Sequence, residues 1–333
     1  MENQKFYTPQ DIFKLFRITK TKTSLYKDEK AGRIPTAKQI PRGQTSIRTW
    51  SIDQLPQIGE KYGFLDKPTS KKVICIYTPK GGVLKTTISL NLARILALHN
   101  IKVLVIGLDV QCSITTNLMT ENNHIESLND ITEYAGLFEY AQPNNSISIE
   151  DIILGTDIPS LHFIPESSNL NFLEQIIRDS TRREYVIKKL LEPVIDYYDV
   201  ILFDNSPNWN FLIQNSLAMA TDVISPISCD IETYRSLTKN IEMINLFKKN
   251  MDLNWNSFTL IPTKLERTKL STQIEAQYRQ IFGDIITTST IRSASVGQES
   301  SALKKSVIEY DARSALADDY FNVLKDIWKI VNS

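Results

Sequence analysis

Five consecutive apolar residues, Val73-Ile74-Cys75-Ile76-Tyr77, run through Thr78-Pro79 into Lys80-Gly81-Gly82-Val83-Leu84-Lys85-Thr86-Thr87. A strand that turns through glycines into a helix, with a lysine and a hydroxyl at the helix start, suits one task above others: holding phosphate. The glycines let backbone N–H groups wrap around phosphate oxygens. The helix N-terminus adds partial positive charge. Lys85 brings a full charge to the β- and γ-phosphates, and the Thr86 hydroxyl can complete the shell of a Mg²⁺ held by the same phosphates. Residues Lys80, Gly81, Gly82, Val83, Leu84, Lys85, Thr86 and Thr87 are therefore the candidate nucleotide-binding segment, with ATP or ADP and Mg²⁺ as expected ligands. The loop departs from the common pattern in its extra Lys80 and in Leu84, which stands where a glycine usually precedes the lysine. A bulky side chain adopts positive φ only at a cost. Leu84 thus predicts altered affinity or turnover relative to the glycine form.

Downstream, short continuous apolar runs at 73–77, 103–107, 200–204, 222–227 and 258–262 alternate with helical patterns. Such runs read as parallel strands covered on both faces. Ile88, Leu92, Ile95 and Leu96 recur on one helical face. Together these predict a doubly wound, mostly parallel α/β sheet. Residues 120–160 are polar and read as loops with short helices. The stretch 58–72 carries Gly, Asp, Pro and Ser, which places a linker at 63–72 between an N-terminal unit, 1–62, and a core, 73–333. Cys75, Cys112 and Cys229 show neither a disulfide framework nor paired metal-ligand spacing; Cys75, inside an apolar run, reads as a buried small hydrophobe. No run approaches the roughly 18 apolar residues of a membrane span, and no signal peptide is evident. A cytoplasmic protein is expected.

The motif with its leading lysine, KGGxxKT, resembles the deviant Walker A of the ParA/MinD family. The likeness continues in Gly107-Leu108-Asp109-Val110-Gln111, similar to that family's D-x-Q segment, and in Asp204-Asn205-Ser206-Pro207, similar to its D-x-x-P Walker B pattern. Val307-Ile308-Glu309-Tyr310-Asp311 resembles the V-x-E-Y-D tail of ParA partition ATPases. The resemblance implies roles residue by residue. Lys80 reaches across a homodimer to the partner's nucleotide and Asp109 positions or activates the attacking water, so both are catalytic with Lys85. Asp204, with Thr86 and Asp109, holds Mg²⁺, partly through water. Thr263 and Arg292, near the ends of later strands, are candidates for the nucleotide base. A helix cap is the alternative reading of Asp109. The family also implies weak ATP hydrolysis stimulated by a ParB-like centromere-binding partner. It implies nonspecific binding to nucleoid DNA, for which Lys264, Lys269, Lys304 and Lys305 are candidates.

Net charge is zero, yet residues 1–50 hold eleven Lys or Arg against four acids. A basic segment on an acidic body suits a local polyanion site. Thr8 can cap a helix beginning at Pro9, a second helix runs from about Thr21 to Ala31 and stops at Gly32, and two extended pieces end in Arg48-Thr49-Trp50. A helix then begins near Ser51. The order resembles a MerR-type winged helix-turn-helix, and larger plasmid ParA proteins carry a similar module. Lys20, Lys22, Thr23, Ser24, Tyr26, Lys27, Arg42 and Arg48 are its candidate DNA contacts, on nonspecific or operator DNA.

Three rivals stand beside a ParA-like partition ATPase. A MinD-like membrane ATPase would use the amphipathic C-terminal stripe Phe321, Leu324, Trp328 and Val331, which equally suits a last core helix. An iron–sulfur reductase would need cysteines placed elsewhere. A nucleotide-responsive repressor would keep the loop with little or no hydrolysis.

Overall fold

The computed structural model describes residues 6–43, 45–119, 134–143, 145–167 and 169–333. The expectation for 120–160 therefore falls partly outside the described residues, at 120–133 and 144.

The N-terminal unit follows its local signals. Helix α1 (Pro9–Leu15) starts at Thr8, whose hydroxyl accepts from the Asp11 N–H while the Asp11 carboxylate accepts from the Thr8 N–H. This reciprocal capping box leaves two otherwise orphan donors satisfied. Helix α2 (Lys22–Lys30) is capped by Thr21. Strands β1 (Lys38–Arg42) and β2 (Thr45–Thr49) pair antiparallel, and α3 (Leu55–Tyr62) follows. Ile12, Leu25, Trp50, Leu55 and Ile58 close a small core.

The large sheet is built from β3 (Lys72–Ile76), β4 (Val103–Leu108), β5 (Leu154–Gly155), β6 (Leu161–Ile164), β7 (Val200–Asn205), β8 (Asp222–Ser228) and β9 (Ser257–Thr263). Among the described residues its order is β5-β6-β4-β7-β3-β8-β9, parallel throughout except β5 on β6. The helices are α4 (Lys85–Leu98), α5 (Ser113–Leu118), α6 (Leu137–Ala141), α7 (Leu170–Asp179), α8 (Val186–Leu191), α9 (Phe211–Met219), α10 (Ile231–Asn250), α11 (Lys269–Phe282), α12 (Val296–Ala302), α13 (Val307–Tyr310) and α14 (Ala315–Val331). One sheet face packs on α4 and α14 through Ile74, Ile76, Val105, Leu202 and Ile224. The other face is covered mainly by α7, α8 and α9. All five runs expected to be strands are strands. The β5 and β6 pair, at the end of the 120–160 stretch and just beyond it, was not expected. It completes an edge beside β4, where Leu161-His162-Phe163-Ile164 aligns with Val103-Leu104-Val105-Ile106.

The C-terminal stripe belongs to the core. In α14, Leu324, Trp328 and Val331 are buried, and Phe321 packs against Phe64. A helix whose apolar face is already covered has none left for a bilayer. Among the described residues no helix is long and apolar enough to cross one.

The stretch expected to link two units, 63–72, begins directly after α3 and is tied down. Leu65 is buried, and the Trp328 indole N–H donates to the Asp66 carbonyl, 2.8 Å. His99, just after α4, joins the two parts: its Nδ1 donates to the Ile95 carbonyl (2.7 Å) and its Nε2 accepts from the Phe64 N–H (3.0 Å). The imidazole is therefore neutral, and burial pushes its pKa down to about 4 from 6.5. A depressed histidine stabilises the fold fully above pH 6.5 and loses that contribution as pH falls toward 4. About 3 kcal/mol is expected to disappear over this window. Urea unfolding at pH 7 and pH 4.5 checks it: a His99→Gln variant should lose that much less between the two pH values than the parent.

Candidate nucleotide site

The loop after β3 lies at the C-terminal edge of the sheet, where parallel strands present their ends and ligands bind in folds of this kind. Gly82 has φ 72°, the conformation that turns the loop toward α4. Leu84 has φ 70° and ψ 26°. A bulky residue thus does take the left-handed conformation here, at a cost of order 1–2 kcal/mol. Its half-buried side chain packs on the cluster beneath α4, which offsets part of that strain.

Lys85 is buried, and its ammonium donates to the Lys80 carbonyl, 2.8 Å, closing the loop over itself. Burial lowers its pKa, opposed by Asp204 and Asp109. Asp204, at the end of β7, accepts from the Thr86 hydroxyl (2.8 Å) and the Ser89 hydroxyl (2.5 Å). Burial pushes its carboxyl up to about 6, against the pull of those two bonds and of Lys85. Ser89, one turn into α4, had not been expected here. Its signal was present in the spacing, since Ser89 sits three residues after Thr86 on the same helix face. A hydroxyl beside a buried carboxylate is a hard-oxygen donor pair, the type that Mg²⁺ prefers. The residues therefore fit Mg²⁺, which when bound would neutralise charge on the phosphates.

Asp109 follows β4. Its Oδ1 accepts the Gln111 N–H, 3.0 Å, in a tight turn that precedes α5. The residue before α5 is Cys112 in the left-handed region, with no side-chain cap bond, so Asp109 is not the helix cap. The Asp109 N–H donates to Glu166, a fully buried acid just past β6. Burial, with Asp204 next, holds Glu166 well above the ordinary carboxylate range. Sequence reading missed Glu166 because it missed β6.

Three expected contacts sit differently. The Thr263 hydroxyl is buried behind the loop and donates to the Val83 carbonyl, 3.3 Å, bracing the loop where a base contact was expected. The Arg292 guanidinium is clasped by Asp319 of α14, at 2.6 and 2.8 Å, and is held as a tie between segments. Lys264, expected on DNA, is half-buried, and its ammonium lies 3.9 Å from where a Gly82 Cβ would stand, beside the phosphate loop. Among the other surface candidates, Lys304 donates to the Met119 carbonyl, 2.9 Å, and Lys269 opens α11. Lys305 is half-buried. Lys80 extends over the exposed face of the site and pairs with Glu232 at the start of α10, 2.6 Å, which raises its pKa.

In the N-terminal unit, Lys20, Lys22, Thr23, Lys27 and Arg42 are exposed, and Ser24 is half-buried beside the α2 cap. Arg48 instead stacks over the Tyr26 ring, 4.4 Å to its centroid, and pairs with Glu29, 3.1 Å. Those two side chains are engaged with each other, which reduces what either presents to a ligand.

The family model described as an AAA domain matches residues 71–257, more than half the chain. The chain belongs to the ParA/Soj-type P-loop ATPase family. It is 29% identical over 257 residues to the sporulation initiation inhibitor protein Soj of Bacillus subtilis, covering 77% of this chain and 98% of that one. It is 26% identical to the chromosome partitioning protein ParA of Myxococcus xanthus, covering 78% and 89%. Among solved structures, a putative plasmid partition protein from Borrelia burgdorferi bound to AMPPNP superposes with TM-score 0.64 at 23% identity, covering 78% of this chain and 99% of that one. At that identity the likeness speaks for the fold alone. A cobyrinic acid a,c-diamide synthase from Mycobacterium smegmatis, with bound ADP and magnesium, shares the fold at TM-score 0.56 and 22% identity, covering 72% and 91%. The family match begins after α3, so the N-terminal unit lies outside it.

Proposed function

We propose that this family member is a partition ATPase that binds ATP with Mg²⁺, dimerises over the nucleotide and moves a plasmid or other replicon along nucleoid DNA with a ParB-like partner. One observation carries the reading: Lys85, Thr86, Ser89 and Asp204 converge at the end of β3 and β7, with Asp109 on the adjacent strand. Lysine and Mg²⁺ would take the phosphate charge, and Asp109 would orient water in line with the γ-phosphate. Lys80 stands on the open face, where a second copy would meet it. Its pairing with exposed Glu232 is a weak hold that a partner's phosphates can replace.

The N-terminal unit, read as a winged helix-turn-helix, would bind operator DNA and repress its own operon. The exposed Lys20, Lys22, Lys27 and Arg42 support phosphate contacts there. Its direct packing on α4 and α14 supports a fixed rather than tethered placement.

ATP hydrolysis by the purified full chain, with and without nonspecific DNA, tests the reading. The wild type should turn over slowly and respond to DNA. Lys80→Ala should lower turnover by about 10- to 100-fold with folding intact. Specific duplex binding without turnover in either protein would identify a repressor that uses nucleotide only as a ligand.

A further inference from the structure

Glu166 is 0% exposed, and its carboxyl is spent on the segment that carries Asp109. Oε1 accepts the Asp109 N–H and Oε2 accepts the Thr115 N–H, each at 3.2 Å. Its own N–H donates to the Thr115 hydroxyl, 2.7 Å. The side chain lies flat on Gly107: a Cβ there would come within 2.2 Å of Glu166 Cγ, so only glycine leaves room for it. Between the two anchored N–H groups the chain reverses tightly. The Cys112 N–H donates to the Asp109 carbonyl, 3.0 Å, and Cys112 itself has φ 52°. One carboxyl thus holds both ends of a strained turn.

We propose that Glu166 is a positioning residue for ATP hydrolysis, clamping the turn 109–115 so that the Asp109 carboxylate keeps a single direction toward the phosphate loop. The proposal rests on the ATPase reading of Asp109. A buried carboxyl is a costly choice for filling space beside a glycine. Two acceptors in one rigid plane explain the choice, because two N–H groups from different turns converge on it. Glutamine offers one acceptor and one N–H₂, so in its place one backbone N–H must face a donor. Misplacement of a catalytic group by about 1 Å costs on the order of 100-fold in rate while leaving binding largely intact.

The test compares wild type with Glu166→Gln for kcat, for affinity toward a fluorescent ATP analogue, and for hydrogen exchange in peptides spanning 105–118. Thr115→Val, which removes the hydroxyl anchoring Glu166, serves as the second variant should Glu166→Gln fail to fold. The expected result is a fall in kcat of about 10- to 100-fold, nucleotide affinity within about 3-fold, and exchange in the turn faster by about 10-fold or more. Unchanged kcat overturns the proposal. So does a loss of affinity that matches the loss of kcat, which marks a merely structural residue. If the wild type itself fails to hydrolyse ATP, the ATPase reading fails. Exchange then decides the clamp alone: an unprotected turn in the wild type, or no change in the variant, overturns it.

Discussion

Asp204→Asn is expected to abolish ATP turnover while making the metal-free fold more stable. The carboxyl is 1% exposed, and burial raises its pKa to about 6 from 3.8. A raised carboxylate pKa means that the folded state prefers the protonated form. The resulting penalty is absent below pH 4, grows as pH rises to about 6, and is constant above, where it amounts to about 3 kcal/mol. On the proposed reading the penalty has a purpose, because the same carboxylate, beside the Thr86 hydroxyl, would hold the Mg²⁺ of a nucleotide complex. Asparagine removes the charge and keeps a partner for each hydroxyl, since its oxygen accepts from one and its amide donates to the other. Unfolding in EDTA should show the variant about equal to wild type at pH 4 and more stable by up to about 3 kcal/mol at pH 7.5. Turnover with Mg²⁺ should fall by on the order of 100-fold or more. Equal stability at pH 7.5 would show that the charge carries no penalty in the fold.

Arg94→Ala is expected to be the most destabilising single change outside the site, costing about 3–5 kcal/mol. The Arg94 side chain is 2% exposed in the middle of α4 and makes two forked pairs. One fork engages Glu309 at 2.8 Å twice; the other engages Asp157 at 2.8 and 2.9 Å. Burial works against the charge on Glu309, yet Arg94 and Ser306 hold its carboxyl below the ordinary range. Removing the guanidinium takes the opposing charge from a fully buried carboxylate in α13 and leaves the Ser306 N–H and hydroxyl to face a charge they cannot neutralise. Lysine cannot rescue it, because one ammonium cannot serve two forks. Replacing both partners, as Arg94→Met with Glu309→Leu, should recover most of the loss. Urea unfolding of the three variants checks this, and a double variant as unstable as Arg94→Ala would mean that lost packing rather than a stranded charge is responsible. The pair also explains Glu309 within V-x-E-Y-D: in this chain it is an anchor for the helix that begins at the phosphate loop.

Sequence by itself determined the elements whose signals are local. Glycines between an apolar strand and a helix specify a phosphate loop, Thr8 and Thr21 mark helix starts, and five buried strands declare themselves as apolar runs because both their faces are covered. Asp109 and Asp204 were legible because strand ends carry them to the same edge. Tertiary structure alone decided which polar groups are buried and what they face. β6 has four residues with His162 among them, too short and too polar to stand out, and it is a strand because β4 lies beside it. Glu166, His99 and the Arg94–Glu309 pair, whose members are 215 residues apart, owe their chemistry to loss of water. Thr263 does end β9, whereas Arg292 follows no strand and only bridges Leu265, and both side chains turned to bonds that only the packed neighbours offer. Periodicity and turn chemistry act within a few residues, so they are written in order along the chain. Desolvation is set by whatever the rest of the fold brings alongside, so the charged interior becomes readable only once the chain has closed around it.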